Sequence, residues 1–209
     1  MPFQNDKKTF LAKLDKSKKG SIDVRAIPFI ETVNAHLDLY TTSTCSGRTY
    51  FWSGSGKKNE TEWIKVSHDP IDLSFLDLPT PKGLVWLRME TFILHVCCRD
   101  MVTANQFVEA ARAICKKSCI LSAAKKIIVE IRDGAILEMP FYDEGVLVFS
   151  GDKGWLVQYC NEKLEKSWVR LEKLRLMVEK IKPGGSFNGE NIKEFKINKK
   201  VKIKKEIKK

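Results

Sequence analysis

The sequence has no C-x-x-C pair, no apolar run long enough to span a membrane, and no G-x-G-x-x-G stretch. The first absence removes the usual ligand spacing of zinc ribbons and of dithiol redox sites. The second removes a transmembrane helix. The third removes the glycine fingerprint of the doubly wound nucleotide-binding fold. Histidine is scarce as well, with only His36, His68 and His95. Cys115 and Cys119 stand four apart without a second ligand pair nearby, so no metal site is expected. The six cysteines, with no secretory-type leader, point to a reducing, cytoplasmic setting. A phosphate loop is excluded too: for SGSGKKNET to follow the Walker pattern, glycine would have to replace Phe51, and serine or threonine Lys58.

What is present is an ordinary soluble composition with an uneven charge. Of 209 residues, 43% are hydrophobic and 30% charged, and the formal net charge is +11. Residues 193–209 hold nine Lys and two Glu, so they supply +7 of that total. The expectation is one α+β catalytic domain over residues 1–190 and a Lys-rich tail over 191–209. Such a tail either meets a polyanion such as RNA or simply solubilises the chain end.

Apolar spacing places a short helix over 5–14 and a second over 24–37, with Asp23 as its N-cap and Pro28 near its start. Strands are expected at 48–53 and 62–67, joined by the Gly-rich tip. Residues 84–98, LVWLRMETFILHVCC, read as one bent strand or two. Asp100 caps a helix to about residue 116, whose stripe of Ala104, Phe107, Val108, Ala111 and Ile114 suits packing on a sheet. Further strands follow near 118–122, 126–132 and 135–142, with RDG as a tight turn between the last two, and a long helix covers 152–181. Helices between groups of strands, without steady alternation, give an α+β fold with a mixed, mainly antiparallel sheet packed by helices, and not a doubly wound fold. CSGRTYFW and CILSAAKKIIVEI share a small-residue, cysteine-led start, which hints at an internal duplication.

Four polar motifs interrupt this apolar framework: SKKGSID at 17–23, TTSTCSGR at 41–48, WIKVSH at 63–68 and FILHV at 92–96. Each places a charged, thiol or imidazole group at the end or middle of an apolar element, where burial without a partner is costly. Arg48 is suited either to a bidentate grip on a carboxylate or phosphate, or to a surface ion pair. Cys45 is a nucleophile or a small buried residue. His68 and His95 are proton-handling groups or satisfied sheet histidines. Asp23 is a cap or a ligand.

In this order and spacing, the four motifs resemble the tRNA wybutosine-synthesizing protein 3 methyltransferases, over roughly residues 10–170. The most specific stretch is TTSTCSGR, where the family pattern is closer to TTSSCSGR, so Thr44 keeps a hydroxyl. AICKKSCIL at 113–121 departs further, from a Gly-Phe-Arg-Ser-like segment. The resemblance implies transfer of a methyl group from S-adenosylmethionine to a ring nitrogen of a wyosine-type tricyclic guanosine beside the anticodon of phenylalanine tRNA. It implies that Ser43, Cys45, Ser46, Gly47 and Arg48 line the cofactor pocket, with Arg48 on the methionyl carboxylate. Asp23 would take a ribose hydroxyl or ammonium, or anchor Arg48, and His68 and His95 would face the base or manage its proton. Lys16, Lys18 and Lys19 would hold tRNA phosphates. A non-catalytic RNA-binding protein is the alternative, separated by whether S-adenosylmethionine binds without RNA; a structural assembly subunit is a third.

Overall fold

The computed structural model describes residues 2–13, 22–54 and 60–181. Lys16, Lys18, Lys19, the tip residues 55–59 and the basic tail 191–209 lie outside them. In chain order the described elements are α1 (Phe3–Leu11), α2 (Ile27–Ala35), β1 (Leu39–Ser53), β2 (Glu62–Ser67), β3 (Leu84–Cys98), α3 (Met101–Arg112), β4 (Cys119–Ser122), β5 (Ile127–Arg132), β6 (Ile136–Asp143), β7 (Val146–Leu147) and α4 (Lys153–Glu179). The seven strands form one sheet in the order β2-β1-β3-β5-β4, with β6 pairing β3 and β7. The ladders of β2, β4, β5, β6 and β7 are all antiparallel. The fold is therefore α+β with a mainly antiparallel sheet, as the order of elements predicts.

Two expectations are corrected. Strand β1 begins at Leu39 and not near residue 48, so TTSTCSGR with its β-branched threonines lies within the strand. RDG does not close a hairpin: β5 pairs with Ile93–Cys98 of β3 and β6 with Leu84–Glu90, so both strands run along the same neighbour in succession. Gly134, at φ 84°, is the break between them. Residues 84–98 form one strand, β3.

The chain divides into two compact units, the first from Met1–Thr44, Ile93–Asp133 and Arg170–Lys209, the second from Cys45–Phe92 and Gly134–Val169. In the first, the Asp100 side chain accepts from the Thr103 N–H at 2.7 Å, the cap the sequence predicts, contributing about 1 kcal/mol. Helix α3 then lies on β5, and Ala104, Phe107, Ala111, Val129 and Ile131 are all buried. Helix α1 is fastened through Asp6, which accepts from Tyr40 Oη at 2.5 Å and from Lys126 Nζ at 3.0 Å. In the second unit, Phe51, Val85, Leu87, Met89 and Phe141 from the strands pack with Phe75, Leu76, Leu156, Cys160 and Leu164. These alternate along β3 with Trp86, Arg88 and Glu90, which are half-buried on the other face. Asp152 starts α4 by accepting from the Trp155 N–H at 3.0 Å.

Candidate functional site

The second unit gathers Cys45, Ser46, Gly47, Arg48 and His68. Gly47 is the pivot. Its φ of 103° breaks the extended run of β1, and a side chain there would meet Leu164 Cδ2 at 3.0 Å, Glu90 O at 3.1 Å and Phe92 N at 3.3 Å. Only glycine satisfies both the conformation and the close approach of β3. The Gly47 carbonyl faces His68 Nδ1 at 3.1 Å. A carbonyl oxygen only accepts, so this contact is a hydrogen bond in the tautomer that carries its proton on Nδ1. Cys45 Sγ lies 4.0 Å from the same Nδ1. The Ser46 carbonyl accepts from Trp168 Nε1 at 2.9 Å, pinning this bend of β1 to α4.

Arg48 does grip a carboxylate, and it belongs to the protein. Its Nε and Nη2 both donate to Glu90 Oε1, at 2.9 and 2.7 Å. Glu90 Oε2 receives Arg88 Nη2 at 3.2 Å, and Arg88 Nη1 donates to Glu138 Oε2 at 2.8 Å. The Arg48 guanidinium also lies 4.3 Å from the Trp63 ring centre and 4.9 Å from that of Tyr50, and those two rings stack at 4.6 Å. Burial, with Glu90 beside it, pushes the Tyr50 phenol up to about 12, so it stays neutral. Arginine suits this position because its plane stacks while its edge bonds; lysine offers only a point charge.

The remaining candidates belong to the first unit. His95 sits opposite Glu130 across the β3–β5 ladder, its Nε2 3.1 Å from Glu130 Oε2. Ser43 is exposed on β1. Asp23 is buried and opens a short 3-10 turn, accepting the Ala26 N–H on its backbone carbonyl at 2.8 Å. Its carboxylate makes no cap bond there, which corrects the expected side-chain cap. Sequence reasoning missed Glu90, Tyr50 and Trp63 as partners of Arg48. The alternation Trp86, Arg88, Glu90 within β3 was the available signal, since period two puts all three on one face.

Among the described residues no helix is long and apolar enough to cross a membrane. Residues 5–180 match the family described as Methyltransferase TYW3. A "tRNA wybutosine-synthesizing protein 2/3/4" of Arabidopsis thaliana is 32% identical over 203 residues, which cover 82% of this chain and 20% of that protein. The chain thus spans about a fifth of the length of that plant relative. A Methanocaldococcus jannaschii protein described as tRNA(Phe) 7-((3-amino-3-carboxypropyl)-4-demethylwyosine(37)-N(4))-methyltransferase is 30% identical over 177 residues, 80% of this chain and 92% of that one. The solved structure of PH1069 from Pyrococcus horikoshii superposes with a TM-score of 0.76 at 26% identity, covering 85% of this chain and 96% of that one. The match over residues 5–180 spans both units, and with it the chain belongs to the TYW3 methyltransferase family.

Proposed function

We propose that this chain methylates a ring nitrogen of a wyosine-type tricyclic guanosine beside the anticodon of phenylalanine tRNA, with S-adenosylmethionine as donor. The observation that carries the reading is the pairing of His68 Nδ1 with the Gly47 carbonyl, which presents Nε2 as a base inside the segment that resembles the family motif. When bound, S-adenosylmethionine supplies an electrophilic methyl group on a sulfonium. Its amino-acid end needs a cation for the carboxylate and an anion for the ammonium, and Arg48, Arg88 and Glu90 offer both in one cluster. Cys45, Ser46 and Gly47 adjoin that cluster along β1, and Ser43 and Asp23 are the further cofactor contacts we assign from the motif resemblance.

The nitrogen that a demethyl base offers carries a hydrogen in place of the methyl group. His68 Nε2 takes that proton as the new N–C bond forms and the sulfonium C–S bond breaks, and Nδ1–H keeps the imidazolium on the Gly47 carbonyl. Holding the nitrogen in line with the methyl carbon at about 3–3.5 Å supplies most of the remaining acceleration. His95, occupied with Glu130, is not assigned a proton-transfer role. Lys16, Lys18 and Lys19 are assigned to tRNA phosphates on charge alone.

The test is calorimetric titration with S-adenosylmethionine, followed by methyl transfer to phenylalanine tRNA that carries the demethyl tricyclic base. Saturable binding weakened at least about tenfold in Arg48→Ala is expected, as befits loss of a charge-assisted bond. Absence of donor binding with RNA binding intact would instead favour the non-catalytic alternative.

A further inference from the structure

The sheet face of the second unit that does not carry its core holds a run of aromatic and guanidinium groups beyond Arg48. Trp52 and Trp86 stack with ring centres 6.0 Å apart and planes at 17°. Trp63 stands opposite Trp52 across the β1–β2 ladder and is 39% exposed. Both ladders that frame this pair are irregular at the tryptophans themselves: the β1–β2 register shifts between Phe51 and Trp52, and the β3–β6 register between Val85 and Trp86. A bulge costs a ladder bond and re-aims the side chain that follows it. In each ladder the extra residue is on the partner strand, Ile64 of β2 and Phe141 of β6, so both irregularities fall beside a tryptophan of the stack.

Two donors on this face are left over. Trp52 Nε1 and Arg88 Nε are buried with no acceptor. Both groups can only donate, and the acceptors of this face, the Glu90 and Glu138 carboxylates, are already engaged by Arg48 and Arg88. Unpaired nucleobases bring π-faces that can stack on the rings of this face, of which Trp63 is the most open. An open sheet that presents stacking rings and arginine planes is a known solution for splayed, single-stranded RNA. Arg48 and Trp52 are four residues apart on β1, about 13 Å at about 3.3 Å per residue, a distance that a short unpaired segment spans.

We propose that Trp52, Trp63 and Trp86, with Arg88, form a stacking platform for unpaired nucleotides flanking the base that enters the Arg48–His68 site. The platform rests on the tRNA reading given above and adds to it the surface that recognises the loop. Specificity for a loop over a helix follows, because paired bases hide their faces from the rings.

The test uses the full chain and two fluorescent RNAs: the anticodon stem-loop of phenylalanine tRNA, and the same stem as a blunt duplex without a loop. Trp86→Ala and Trp86→Leu are each expected to weaken stem-loop binding about tenfold, the scale of one lost base stack. Duplex binding and S-adenosylmethionine binding stay unchanged in both, and so does stem-loop binding by Trp155→Ala, which removes an exposed tryptophan elsewhere in the unit. The leucine variant retains apolar volume, so a folding defect in the alanine variant does not decide the result. Equal loss for stem-loop and duplex, no loss in either variant, or a wild-type dimer that Trp86→Leu dissolves would overturn the platform. If the variants bind and methylate like wild type, the platform alone falls. If wild type binds S-adenosylmethionine but neither RNA, the tRNA reading falls with it.

Discussion

His68 and His95 both sit at the edge of a family-like motif, yet their partners differ. In the second unit, His68 Nδ1 faces a backbone carbonyl, an acceptor without charge. In the first, His95 meets a carboxylate across a strand pair, with Arg132 Nε 3.6 Å from the other Glu130 oxygen. An imidazole held by a neutral acceptor can gain and lose a proton at its other nitrogen without breaking that contact. One held by Glu130 has that ring nitrogen engaged with a carboxylate across the strand pair. The lesson is that a histidine's partner, not its place in a motif, indicates its work.

The sharpest way to break this comparison is to remove each ring. His68→Asn is expected to lower kcat for methyl transfer by about 10²- to 10⁴-fold, the usual worth of a positioned base. His95→Gln is expected to change it by less than about threefold, in line with a partly exposed substitution. Rates measured under saturating donor and tRNA decide it, and similar losses for both would erase the distinction.

The next test concerns the carbonyl that holds His68. Gly47→Ala is expected to destabilise the protein by at least about 2 kcal/mol in urea unfolding, since it adds left-handed strain to contacts with backbone of β3. Gly83→Ala provides the control: φ is +65° there but a Cβ would meet nothing within 4 Å, so about 1 kcal/mol is expected from conformation alone. Equal costs would mean that the close approach at Gly47 contributes nothing.

The smallest effect tests the first unit as scaffold. The Lys126 hydrogen bond, then that of Tyr40, hold the Asp6 carboxyl below its ordinary range. A depressed folded pKa stabilises at neutral pH, and that contribution fades as pH falls from about 4 downward. Asp6→Asn should therefore be less stable than wild type at pH 6, with the gap closing below pH 4, while methyl-transfer kinetics at neutral pH stay the same. A gap that persists in acid would assign the loss to packing.

Much of the fold was legible because its signals are local. The Asp100 cap and the apolar stripe of α3 lie within one turn or one helix face, and both are observed. The RDG reading failed because a turn-like tripeptide reveals its own backbone, not which strand its flanks will pair with; β3 is long enough to take both. At the site, the resemblance singled out Gly47, Arg48 and His68, but not that Arg48 would meet Glu90, 42 residues away. Such long-range pairing depends on register, and a one-residue slip would have turned Glu90 into the core.

The burial of the cysteines has a practical side. Desolvation raises the thiols of Cys97 and Cys98 and pushes those of Cys115 and Cys160 up to about 12, so near neutral pH all four are protonated, shielded and slow to alkylate. Cys45 and Cys119 are the two partly accessible ones. To a maleimide, the folded chain is a two-thiol protein with one handle in each unit, and the handle on β1 stands beside His68, where slower labelling in the presence of S-adenosylmethionine would support the proposed site.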